Sequence, residues 1–197
     1  MTSNLHSFVR RACVGGFLVA AALLTGCAQI KLGAPAASVD NIQRAKAAVT
    51  TPVAVGEFKA PQGKDAALDA GLDLRSNTVS SPIQGSFAQY LKETLSVELR
   101  AAGLLDPASA AVISGALTGS QVDAGASKGL GSLGARFVVM RAGTKVYDKE
   151  LRVQASWESS FVGAVAIPAA VNEYTALYRK LVAQLLDDPA FRAALKT

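Results

Sequence analysis

From Leu151 to Phe161 apolar and polar positions alternate. Leu151, Val153, Ala155, Trp157 and Phe161 fall on one side, and Arg152, Gln154, Ser156, Glu158 and Ser160 on the other. The period of two predicts a strand with one dry and one wet face, as in an antiparallel sheet covered on one side only. Three further stretches read as strands: Thr51–Phe58 with Pro52 at its start, Ala111 to about Val122, and Ala135–Met140. Arg141-Ala142-Gly143-Thr144 predicts a compact hairpin turn, and the glycine-rich stretch before Ala135 a long hairpin loop. From Pro61 to Ser80 periodicity is lost, which predicts a loop with a frayed strand at Leu72–Arg75.

Two longer stretches carry a helical period. Ser81 as cap, Pro82 at the first position and Gln84 three residues after the cap predict a helix start. Phe87, Leu91, Leu95 and Leu99 recur every fourth residue with Tyr90 beside them, and Gly103 ends the run. Pro168 opens a second seam of Val171, Tyr174, Tyr178, Leu181 and Leu185, which Pro189 breaks. Asp187 or Asp188 can then cap a short tail helix bearing Phe191 and Leu195. The order β-α-β-β-β-α predicts one α+β domain over residues 51–197: a four-stranded, mainly antiparallel sheet with two long helices on one face.

The amino-terminal residues follow a different logic. Arg10 and Arg11 precede an uncharged stretch from Ala12 to Leu24 that ends in Leu24-Thr25-Gly26-Cys27. A positive n-region, a short apolar h-region and a terminal cysteine box, in that order, form an export signal that resembles the lipobox of bacterial lipoproteins. Residues 1–26 are then a leader. Cys27 is the expected lipidation site, carrying diacylglycerol and palmitate, and 27–50 the expected lipidated tether, rich in small residues around Gly33-Ala34-Pro35-Ala36-Ala37-Ser38. Two or three acyl chains hold a protein to a bilayer almost permanently, where one holds it marginally. Ala28 stands where an aspartate would resemble an inner-membrane retention signal, so the expected destination is the outer membrane, facing the periplasm.

Composition narrows the chemistry. With 50% hydrophobic and 18% charged residues the chain of 197 can build a core, and a mean hydropathy of +0.28 is foreign to disordered chains. The leader holds His6, which is the only histidine, Cys13, and two of the twenty bases but no acid, which leaves 18 bases against 15 acids. So small an excess is not the footprint of a nucleic-acid binder. Without histidine or a free thiol, Ser-His and Cys-His nucleophiles and histidine-containing zinc sites are closed. No catalytic residue, metal site or cofactor is expected.

Other motifs weaken on inspection. Gly129-Leu130-Gly131-Ser132-Leu133-Gly134 matches G-x-G-x-x-G, but a dinucleotide fingerprint must open a helix, and here a strand follows. Asp65, Asp69 and Asp73 are spaced four apart, yet with glycines on either side they read as solvated loop acids. Ser127 and Lys128 are adjacent rather than in S-x-x-K register. Trp157 and Phe161 on the dry strand face, Tyr174 and Tyr178 on the helix seam, and Lys128 in the loop are the candidate partner or lipid contacts. The aromatics among them serve equally well as ordinary core.

The order of lipobox, tether, strand, helix, three strands, helix and tail helix resembles the YajG-like family of outer-membrane lipoproteins. The similarity is densest from Arg75-Ser76 to Gly103 and from Leu151 to Asp188-Pro189-Ala190-Phe191. The architecture is also similar to the lipoprotein of the lipopolysaccharide translocon (LptE-like) and to auxiliary lipoproteins of lipid-transporting ABC systems. The resemblance implies a non-catalytic, membrane-anchored binding or assembly factor with an envelope protein partner. The alternative it implies is a transport accessory that holds lipid or lipopolysaccharide acyl chains between sheet and helices.

Overall fold

The computed structural model describes residues 29–196; the leader and Cys27 lie outside them. The main sheet has the order β2-β5-β6-β7, from Ala54–Lys59 (β2), Ala111–Ala124 (β5), Lys128–Arg141 (β6) and Thr144–Glu158 (β7). Its last three strands form an antiparallel meander, while β2 runs parallel to β5. The parallel pairing follows from connectivity: the chain crosses between β2 and β5 through helix α2 (Phe87–Ala101), and such a crossover returns it in the same direction. The sheet expected to be mainly antiparallel therefore has one parallel edge.

A second sheet takes in the frayed strand expected at Leu72–Arg75. Gln29–Lys31 (β1), Leu72–Leu74 (β3) and Asn77–Ser80 (β4) form it in the order β1-β4-β3, with β1 parallel to β4. Residues 29–50 do not form the expected tether. Leu32 is buried, and α1 (Val39–Ala48) sets Asn41, Ala45 and Ala48 into the core. Its alanine-rich sequence buries small surfaces that no hydrophobic stripe announces.

Helix boundaries moved for local reasons. Ser81 caps only a turn: its Oγ accepts from the Ile83 amide at 3.0 Å, and the chain passes through positive φ at Gln84 and Gly85. Helix α2 starts later, where Ser86 Oγ accepts from Gln89 N at 3.1 Å and Asp69 Oδ1 from Ala88 N at 2.7 Å. The third helix, α3, runs Gly163–Asp187, so Pro168 lies within its second turn rather than at its start. Asp188 caps α4 (Pro189–Leu195) through the amides of Ala190 and Phe191. Helices α2 and α3 lie on one face of the main sheet, and the opposite face is wet.

Two polar ties run through this packing. Glu98 on α2 is fully buried and accepts from Ser38 N at 2.9 Å, Ser38 Oγ at 3.3 Å and Asn41 Nδ2 at 3.1 Å. A carboxylate thus sits on the amino end of α1, where the helix dipole favours negative charge. On α3, the hydroxyl of Tyr174 bonds both Ser120 on β5 and, at 2.8 Å, the hydroxyl of Tyr178. The rings of Phe87, Tyr90 and Tyr178 close around them edge-on or tilted.

Two measurements follow from these ties. Glu98→Ala removes the acceptor of both Ser38 donors and one of the two acceptors of Asn41 Nδ2, which also donates to the Arg179 carbonyl, and is expected to lower the free energy of unfolding by about 2 kcal/mol in urea titration, more than a surface Glu→Ala change. All four tyrosines are buried: Tyr90, Tyr147, Tyr174 and Tyr178. Burial disfavours the phenolate and raises each above its ordinary value, with Asp188 adding to the effect at Tyr147 and Tyr174 at Tyr178. Because the folded-state values exceed the unfolded value of about 10, this contribution to stability is full below that pH and is lost above it. Absorbance at the tyrosinate band is expected to stay flat through the ordinary phenol range and then rise together with loss of circular dichroism. A gradual rise in the folded protein contradicts this.

Candidate functional site

The most heavily constructed end of the molecule is built around Arg75. Arg75 and Ser76 form the two-residue turn between β3 and β4, both at positive φ (47° and 65°), the conformation a tight hairpin requires. Non-glycine residues tolerate it here because other bonds fix the turn: Asn77 Nδ2 donates to the carbonyls of Leu74 and Arg75. The Arg75 guanidinium leaves the turn and donates to four carbonyls. Two are at the end of β5, Ala124 at 2.5 Å and Gly125 at 2.8 Å. Two are in the β7–α3 connection, Ser160 at 2.7 Å and Phe161 at 3.1 Å. Ser159 N also donates to Ser127 O at 2.9 Å, so the β5–β6 turn and the β7–α3 connection lie side by side.

The glycine motif becomes intelligible here. It is strand β6, paired on both sides, not a loop or a phosphate cradle. Its glycines make room: a Cβ on Gly129 would stand 2.1 Å from the Trp157 indole, one on Gly131 3.0 Å from Leu177, and one on Gly134 3.0 Å from Thr118 Oγ1. Trp157 thus lies flat on a glycine floor on the helix side of the sheet, half-buried.

The five candidate contact residues divide. Lys128 is exposed and faces Glu158 across β6–β7. Phe161 lies beyond the end of β7, not on its dry face, and is 86% exposed. Its neighbours Val162 and Val165 are 56% and 60% exposed. Tyr174 and Tyr178 are fully buried, and the edge-on rings around them fill the space between sheet and helices where an acyl chain would have to lie. Among the three acids weighed for a cation, Asp69 caps α2 and Asp73 points outward from β3. Among the described residues no three His, Cys, Asp or Glu side chains converge to hold a metal ion.

The wet face of the sheet has two zones. Near the β5–β6 turn, Gln121, Ser132 and Gln154 share one cross-strand row, with Asp123, Leu130 and Ser156 in the next. These short or neutral side chains leave a trough of about 480 Å³, with Lys128 at its rim. Farther along the strands, Asp148 holds Arg136 at 2.5 Å and Lys145 at 2.6 Å, and Glu150 accepts from Thr118 and Arg152. The hydrogen bonds from Arg136 and then Lys145 keep the Asp148 carboxyl well below the ordinary carboxylate range. Sequence reasoning missed Arg75 as a tie and the trough as a surface. The first needs knowledge of which loops meet, and the second of which small residues align across strands.

No protein-family model matches the chain, and no curated protein matches it in sequence. Solved structures do. Protein XCC0632 from Xanthomonas campestris, assigned to the family model DUF330, superposes with a TM-score of 0.55 at 14% identity, over 80% of this chain and 94% of that one. This chain shares the fold of XCC0632. Protein CT253 from Chlamydia trachomatis gives 0.41 at 14% identity over 69% of this chain and 95% of that one. A minor lipoprotein from Acinetobacter baumannii gives 0.36 at 16% identity, covering 72% and 90% of the two chains.

Replacing Arg75 by Ala is expected to cost about 2–3 kcal/mol of stability, since four carbonyls lose a charged donor. Amide exchange should quicken in residues 124–127 and 159–162 and remain unchanged in α1. Arg75→Lys should not rescue the loss, because an ammonium cannot fan out to four acceptors held in two loops.

Proposed function

We propose that the chain is a non-catalytic lipoprotein of the bacterial envelope, fixed through lipids on Cys27 to the outer membrane with its body in the periplasm. Its α+β body is a binding or assembly module for an envelope protein. The observation that carries this reading is the box Leu24-Thr25-Gly26-Cys27 at the end of a charged and then apolar leader, two residues ahead of the first strand. Processing there discards the only histidine and consumes the remaining cysteine, which leaves a scaffold without the common nucleophiles and bases. No helix among the described residues is long and apolar enough to cross a membrane, so lipid is the available anchor in this part of the chain.

The neutral trough on the wet sheet face is the surface offered to a protein partner. Its glutamine and serine side chains supply uncharged donors and acceptors beside Lys128. The runner-up reading, carriage of lipid or lipopolysaccharide acyl chains between sheet and helices, requires the tyrosine layer to separate, because Tyr174 and Tyr178 are sealed at 0% exposure.

Cys27→Ser is the direct test. The variant should accumulate with its leader attached and take up no labelled palmitate. The wild-type chain should be processed, labelled and found with outer membranes. Wild-type protein that is unlabelled, or a serine variant that still reaches the outer membrane in processed form, contradicts the reading.

A further inference from the structure

The first described residue and the apolar tip lie at one end of the molecule. β1 begins at Gln29, paired in parallel with Thr78 at the start of β4, so the chain enters the fold beside the Arg75–Ser76 turn. Arg75 ties that turn to the carbonyls of Ser160 and Phe161. Only Ala28 separates Cys27 from β1, and two residue steps span at most about 7 Å. A body hung on so short a lead cannot stand away from the membrane that holds its lipid.

What this end presents is apolar. Phe161, Val162 and Val165 project from the β7–α3 connection and the first turn of α3. From Ser159 to Asn172 the sequence has no charged side chain, although this stretch includes the exposed start of a helix, where acids are ordinarily favoured. Among the described residues no side chain caps α3 and no acid lies in its first turn. The charges nearby are balanced, Arg75 and Lys128 against Asp123 and Glu158, with Lys128 opposite Glu158 across two strands.

We propose that the tip formed by Phe161, Val162 and Val165 is seated in the interfacial layer of the phospholipid bilayer into which the Cys27 lipids insert, so that the body is held at two points and in one orientation. This rests on the lipid anchor proposed above. The bilayer is the fitting occupant because the chain length from Cys27 brings it to this end, and because the tip offers no net charge to steer an acidic or basic partner. The depth is interfacial rather than hydrocarbon, since the opening amides of α3 must find acceptors, which headgroups and their water supply.

The mature lipoprotein has no free thiol, so Phe161→Cys introduces one unique labelling site. The full, lipidated chain carrying a polarity-sensitive fluorophore there is reconstituted into phosphatidylcholine vesicles, with or without brominated acyl chains. Val146→Cys, 39% exposed near the opposite end of β7, is the control at about 40 Å up the strand. The expected result is a blue-shifted emission at position 161 that brominated lipid quenches at least twofold and added salt leaves unchanged, with aqueous, unquenched emission at 146. Vesicle-bound protein with aqueous emission at both positions overturns the bilayer contact while leaving the anchor intact. A blue shift seen only in native envelopes, and not in pure lipid, assigns the tip to a protein and also overturns it. Wild-type chain that stays in solution without vesicles overturns the anchor itself, and this inference with it.

Discussion

One guanidinium decides how the two sheets meet. The three-stranded sheet is small, with strands of three and four residues, and buries Leu72, Leu74 and Val79 in the common core. Arg75 couples its turn to the end of β5 and the β7–α3 connection through four carbonyls. The planar fork matters, because its nitrogens reach two chain segments at once from one fixed geometry. The consequence is positional: the point where the chain enters the body, the β5–β6 turn and the β7–α3 connection are brought to one end. A lipid anchor and a surface patch can act together only if some bond fixes the distance between them.

The core supplies most of the stability and the polar ties supply its arrangement. Leucines at 91, 95 and 99 on α2 and at 177, 181 and 185 on α3 bury fully, and apolar area of that kind is non-directional. It would tolerate a slip of α1 along α2 or a rotation of α3 on the sheet. Glu98 permits only the placement in which Ser38 and Asn41 meet its oxygens. The hydroxyls of Ser120, Tyr174 and Tyr178 likewise pair in one register of helix on strand. Satisfied in this way, buried polar groups select among packings of similar area.

The parts of this fold legible in the sequence are those with enough periods to average over. β7 and the seam of α3 each carry five or more positions of one pattern, and the hairpin turn expected at Arg141–Thr144 is there with Gly143 at positive φ, joined by Ala142, whose side chain gives no such signal. The expected lipobox, which order and spacing define rather than contact, lies outside the described residues. Short elements were legible only in part. A frayed strand was expected at Leu72–Arg75, where β3 lies, but β1 and β4 have too few residues to show a period, and α1 buries alanines that look like linker. Ser81-Pro82-Ile83-Gln84 has the residues of a helix start but serves as a turn, since Ser86, five residues on, caps α2 beside Phe87 and its core partners. Glycine at 129 and 131 suggested looseness where the reason is the bulk of Trp157 and Leu177. The tip residue Phe161 was placed on a dry face by extending the alternation past Glu158, where β7 ends.

The geometry also constrains where a partner can dock. With the Arg75 end set toward the bilayer, as proposed, the strands of the main sheet rise away from it. β5 to β7 are fourteen or fifteen residues long, about 45–50 Å at the rise of an extended chain. The neutral trough then lies in the lower part of the wet face, within a few residues of the β5–β6 turn, and the ion-paired rows of Arg136, Asp148 and Glu150 lie above it. A protein seated in the trough would sit close to the membrane surface, and a fixed tilt of the body would present the same face to it on every copy. A freely swinging anchor would spread that face over all directions and lengthen the search for contact. Two-point attachment therefore confers an advantage that neither the lipid nor the apolar tip gives alone: it turns a tethered domain into an oriented one.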